Sequence, residues 1–239
     1  YGKREKATVV VNLNPGKAAK IADKEFENVP EEYKRQPTDL FIENYHKEQR
    51  TYVLKVENAD SFDVKQAAFL TPWEDNGIDL PQNPDWNDKE TRNIAAKRVI
   101  DNKLQLELVP YASAKFDFSS RCVELLFPYV DTILDEIFAQ ERKYIIFASS
   151  KFEHIFKHYN KVHPNTFDFS RPIKQSDSPL KEGGSLYGQC RVIFINYNGE
   201  TRPALIAHTF PSQALGRAYK LMQKYGKFCF DEYIKTILK

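Results

Sequence analysis

An α/β domain built on a mostly parallel sheet is the fold class this sequence predicts. Three observations carry it. Short apolar runs rich in β-branched residues recur at 8–13, 104–109 and 144–148. Stretches with helical spacing alternate with them, and turn chemistry separates the two kinds of segment. Strands alternating with amphipathic helices bury both faces of a parallel sheet.

Taken in order, residues 8–13 (Thr-Val-Val-Val-Asn-Leu) form the first strand, ended by Asn14-Pro15-Gly16, and 17–26 has helix-forming composition. A helix over 39–48, capped by Asp39, and a short strand over 51–56 follow. Between 58 and 88 the apolar pattern breaks up among Pro72, Gly77, Pro81 and Pro84, and both tryptophans, Trp73 and Trp86, fall inside. This stretch is expected to be an ordered surface insertion in a single domain spanning 1–239.

Residues 88–102 read as a helix with Ile94, Ala95 and Val99 along one side, followed by the strand 104–109 and a loop over 110–119. Apolar residues from Val123 to Phe138 keep helical spacing, with Pro128 starting a new segment or kinking the helix. A buried strand at 144–148 and a helix at 151–159 come next, and the polar stretch 164–186 reads as loop. Asn198-Gly199 supplies the positive φ angles of a type I′ turn, so 189–197 and 201–207 are expected to pair antiparallel. A helix carrying Leu215, Ala218, Tyr219 and Met222 should end near Gly226, and a last helix occupies 231–238.

Composition narrows the function classes. The 239 residues are 41% hydrophobic and 28% charged, which is globular composition, and the formal charge of +2 advertises no polyanion by itself. No apolar run approaches the roughly 20 residues that cross a bilayer, so the expectation is a cytoplasmic, intracellular protein with no membrane partner. Cys122, Cys190 and Cys229 lack zinc or disulfide spacing. His154 and His158 stand at i,i+4 without an acidic or cysteine partner in the pattern, and no metal or other cofactor is expected.

In parallel sheets ligands gather where strands end, which singles out three segments. Asn14-Pro15-Gly16-Lys17 offers a fixed backbone, close approach at Gly16 and amides for an anion or polarised base. After the second strand, Glu107 precedes Tyr111, Ser113, Lys115 and Phe116; an aromatic there can stack on a planar ligand while Ser113 and Lys115 reach a phosphate. The third is His208-Thr-Phe-Pro-Ser212-Gln213, where a neutral imidazole can donate to a developing negative charge. A stripe of Arg217, Lys220, Lys224 and Lys227 follows, with no acidic residue among them, and fits a phosphate backbone. The bland alternatives are a strand-exit turn, aromatic core filling, a structural histidine and a solvated helix face.

Together these segments resemble the uracil-DNA glycosylase superfamily, especially its mismatch-specific and single-strand-selective branches. The resemblance rests on Val11-Asn12-Leu13-Asn14-Pro15-Gly16, on Leu108-Val109-Pro110-Tyr111, on the strand at 144–149, and on His208-Thr209-Phe210-Pro211-Ser212. It implies a three-layer α/β/α sandwich with a mainly parallel central sheet and hydrolysis of the N-glycosidic bond of a flipped base. Asn14 would position the attacking water, and His208 would stabilise the leaving base. Gly16, Glu107, Tyr111 and Phe116 would hold that base. Lys17, Ser113, Lys115, Ser212, Gln213, Leu215, Arg217 and Lys220 would meet duplex or single-stranded DNA. Two residues depart from the pattern: Phe210 aligns where the family has His or Asn, and Glu107 stands where several members place a base-reading Asn. A non-catalytic nucleic-acid-binding or interaction domain on the same fold, and a small-molecule nucleotide or nucleoside enzyme, are the alternative expectations.

Overall fold

The computed structural model describes residues 4–13, 61–81, 83–108, 123–169, 189–208 and 218–238. Among them lie β1 (Thr8–Asn12), α1 (Ser61–Leu70), α2 (Lys89–Asn102), β2 (Leu104–Glu107), α3 (Phe127–Phe138), β3 (Tyr144–Phe147), α4 (Lys151–Val162), β4 (Phe167–Asp168), β5 (Cys190–Tyr197), β6 (Glu200–Ala207) and α5 (Tyr219–Ile237). The segments expected at 17–26, 39–48 and 51–56 fall outside these residues.

The strands form one six-stranded sheet in the order β2-β1-β3-β6-β5-β4. The first four are mutually parallel, β5 runs against β6, and β4 against β5. The sheet is therefore mixed and mostly parallel. Alternation along each strand sends side chains to two separate cores. Val10, Tyr144, Ile146, Leu205 and Ala207 pack with α1, α2 and α5. Val9, Val11, Ile145, Phe147 and Ile206 pack with α3 and α4 on the other face. Helices thus cover both faces, consistent with a three-layer α/β/α arrangement.

Local chemistry explains several boundaries. Asp88 caps α2 by accepting from the Thr91 amide at 2.7 Å. Pro128 sits in the first turn of α3, where its missing N–H costs no helical bond. The β5–β6 turn has φ of 50° at Asn198 and 81° at Gly199, as the type I′ reading requires.

Three expectations are corrected. Residues 58–88 are no surface insertion where they are described: 61–70 form α1, and Trp73 and Trp86 are buried at 2% and 3% exposure. The polar stretch after Pro164 contributes a short strand, β4, paired to β5. The helix expected to stop at Gly226 continues through it, and α5 is one 19-residue helix. A Cβ on Gly226 would stand 2.0 Å from the Phe69 carbonyl oxygen, so this glycine permits α5 to lie against α1 rather than ending a helix.

Candidate functional site at the carboxyl edge of the sheet

Because β2, β1, β3 and β6 are parallel, their carboxyl ends share one edge of the sheet. Asn12 pairs in register with Glu107. Continuing the registers Val11↔Phe147 and Phe147↔Ile206 by one position brings Ala148 and Ala207 level with them. All four point to the face covered by α1, α2 and α5, giving a row of two polar and two small side chains.

Glu107 is held by an array that the sequence reading missed. Its Oε1 accepts from the Gln105 amide at 2.7 Å and from the Asn12 amide at 3.2 Å. Gln105 Oε1 in turn accepts from the Lys103 ammonium and from the Gln66 amide of α1, and Lys103 also donates to Gln66 Oε1. Lys103 and Gln66 have no exposed surface, and Gln105 and Asn12 are buried. Glu107 Oε2 is also buried, and it has no hydrogen-bond partner.

Desolvation dominates the protonation of this array, because a charge loses its hydration when buried. Burial pushes the Glu107 carboxyl above its ordinary range, opposed by the Gln105 and Asn12 hydrogen bonds and by Lys103. It pulls the Lys103 ammonium down to about 8, opposed by the nearby charges of Asp63 and Glu107. Lys103, Gln105 and Glu107 alternate with Leu104, Leu106 and Leu108. That period of two was the available signal, but it looks the same for a polar face turned to water.

His208 lies one residue past β6 and points to the opposite face, toward α4. Its Nδ1 is 3.2 Å from Gln189 Oε1, and its Nε2 is 3.5 Å from Glu153 Oε2. The second contact becomes an ion pair only when the imidazole is protonated, and Nε2 is buried with no hydrogen-bond partner. Glu153, in the first turn of α4, also pairs with Lys157 at 2.6 Å and with Arg191 at 3.3 Å. Burial holds the His208 imidazole below its ordinary value of 6.5; Glu153 opposes this and Arg191 adds to it.

The structure therefore places Glu107 and His208 at the same edge but not side by side. Three inter-strand steps of about 4.8 Å separate their strands, roughly 14 Å in all, and their side chains leave opposite faces. Lys220 is on the exposed side of α5 and lines an open groove with Gln223, Lys224 and Lys227, across from Glu74, Asp75 and Asp79. Lys227 is paired to Asp231 at 2.6 Å, so the expected basic stripe runs into a carboxylate on its own helix. Asn14, Gly16, Lys17, Tyr111, Ser113, Lys115, Phe116, Ser212, Gln213, Leu215 and Arg217 lie outside the described residues.

No family model, curated protein or solved structure matches the chain. Among the described residues, no group of His, Cys, Asp and Glu is arranged to hold a metal ion, and no helix is long and apolar enough to cross a membrane.

Proposed function

We propose that this is a DNA-binding protein of uracil-DNA glycosylase-like fold, with its base site where β1 and β2 end, hydrolysing the N-glycosidic bond of a flipped modified or mismatched base. The observation that supports it is the Asn12–Glu107 pair at the carboxyl edge, with one buried carboxyl oxygen left unpartnered. A buried polar atom without a partner costs stability, and such atoms concentrate where a ligand completes the bonding. The segments 14–17 and 111–116 follow these same two strands in the sequence.

In this reading Asn14 orients a water toward the sugar carbon. The carbon–nitrogen bond breaks, the electron pair leaves with the base, and water supplies the hydroxyl of the abasic sugar while its other proton ends on the departed base. An amide is a poor general base, so rate comes from stabilising the separating charges. Tyr111 or Phe116 stacks on the base, with Gly16 allowing the backbone close to it. Lys17, Ser113, Lys115, Ser212, Gln213, Leu215, Arg217 and Lys220 meet the DNA.

The second reading is a non-catalytic nucleic-acid-binding or interaction domain. The placement of Glu107 and His208 on opposite faces favours it, since one base does not bridge roughly 14 Å. One experiment separates the two. The protein is incubated with duplex and single-stranded oligonucleotides carrying uracil, hypoxanthine or other altered bases, and abasic sites are revealed by alkaline cleavage. The glycosylase reading expects abasic product that Asn14→Ala reduces by about 100-fold or more, the scale of losing a positioned reactant. Salt-dependent binding without product selects the second reading. Absence of both overturns the glycosylase and the nucleic-acid-binding readings together and leaves an interaction domain.

A further inference from the structure

We propose that Glu107 Oε2 reads the bound base and selects bases that carry an exocyclic amino group. This rests on the base-binding reading above and adds the class of base.

Lys103 carries an ammonium, which can only donate. Its contact with Gln105 therefore fixes the carbonyl oxygen of Gln105 toward Lys103 and the amide nitrogen toward Glu107. Gln66 closes the arrangement, accepting from Lys103 through its oxygen and donating to Gln105 Oε1 through its nitrogen. No amide in this array can be turned over without setting two donors or two acceptors against each other. Glu107 Oε1 thus receives two N–H donors, from Gln105 and Asn12, and is saturated.

What remains is Oε2, buried and without a hydrogen-bond partner. As a carboxylate oxygen it accepts only. The ring N–H of uracil is flanked on both sides by carbonyl oxygens, which a carboxylate repels. An exocyclic amino group projects beyond the ring and presents donors without that penalty. The row of Asn12, Ala148 and Ala207 beside Glu107 adds an amide and two methyl groups on this face.

The array also dictates what Glu107→Gln would do. Gln105 and Asn12 still donate, so the new side chain must turn its oxygen to them and its NH2 to the position of Oε2. An acceptor becomes a donor with almost no change in shape.

The test uses single-stranded oligonucleotides with one central base, compared in pairs that differ only by an amino group: cytosine against pyrimidin-2-one, adenine against purine, guanine against hypoxanthine. Affinities are read by fluorescence anisotropy on the full chain. In the wild type at least one amino-bearing base should bind about tenfold tighter than its partner, the scale of one charge-assisted hydrogen bond. In Glu107→Gln that ratio should fall to one or invert. Binding with equal affinity in all three pairs, or a ratio that Glu107→Gln leaves intact, overturns this inference while sparing the base-binding reading. Failure of every oligonucleotide to bind overturns that reading as well. If the variant does not fold, as thermal melting would show, the wild type decides: its amino preference must fade as pH is lowered and the carboxyl takes up a proton, and a preference constant with pH overturns the inference.

Discussion

Gly226 of α5 and Phe69 of α1 approach so closely that the glycine has no room for a methyl group: a Cβ would stand 2.0 Å from the Phe69 carbonyl oxygen and under 3 Å from two more of its backbone atoms. The obstacle is backbone, so no side chain can swing aside. Gly226→Ala should therefore destabilise the protein by at least about 3 kcal/mol, despite the better helix propensity of alanine. Urea denaturation of the two proteins checks this. A loss below about 1 kcal/mol would mean that the two helices can separate without cost.

Lys103 gives a pH signature. Its ammonium sits at about 8 in the folded protein against an ordinary 10.5. Between these values the unfolded chain still holds a proton that the native state has released, so this residue's contribution to stability rises with pH. Lys103→Met lacks the titration. The wild type should gain on the variant by about 3 kcal/mol between pH 8 and 10.5. The difference is the quantity to measure, because Tyr144 and Tyr197, both pushed up to about 12 by burial, lose stability in both proteins above pH 10.

His208 acts at the acid end. Its folded value lies below the ordinary 6.5, so the unfolded chain binds the proton first and stability falls as pH drops through 6.5. His208→Gln should flatten the pH dependence between 7 and 5, as followed by thermal melting at each pH. An unchanged slope would place the acid sensitivity elsewhere.

Asn76 secures the loop after α1 by three bonds. Its amide donates to the Leu70 carbonyl at 2.9 Å, its side-chain oxygen accepts from the Ile78 amide at 2.7 Å, and its main-chain carbonyl accepts from the Thr8 hydroxyl at 2.6 Å. Asn76→Ala strips the first two; the Leu70 carbonyl keeps the Trp73 amide at 3.0 Å, but the Ile78 amide is left unpaired, at a cost of about 1–3 kcal/mol. Asn76→Asp keeps the acceptor and should lose less, unless the buried charge outweighs the retained bond; chemical denaturation of both variants ranks them.

Particular elements show where sequence reasoning reached and stopped. The strands of the parallel half and the type I′ hairpin were readable because their signals are local: a run of β-branched residues, or Asn-Gly between two such runs. Helix α1 was not readable. From Asp63 to Leu70 every residue is buried, including Asp63, Lys65 and Gln66, so the helix has no polar face and shows no 3.6-residue period. Its polar residues made the stretch look like loop. Among the candidate site residues, Glu107 and His208 could be placed at strand exits from sequence, whereas Asn12, Gln66, Glu153 and Gln189 could not be connected to them, since their partners are 19 to 95 residues away in the chain or on other elements.

The sequence by itself determined the class of fold, the exits of its strands and the residue types standing there, because those depend on near neighbours. Only the tertiary structure decided which face each exit presents, that α1 covers the polar side of β2, and that a donor-only lysine orients Glu107. Those outcomes depend on register and packing between distant segments, where one residue of slip turns every side chain to the other side of the sheet.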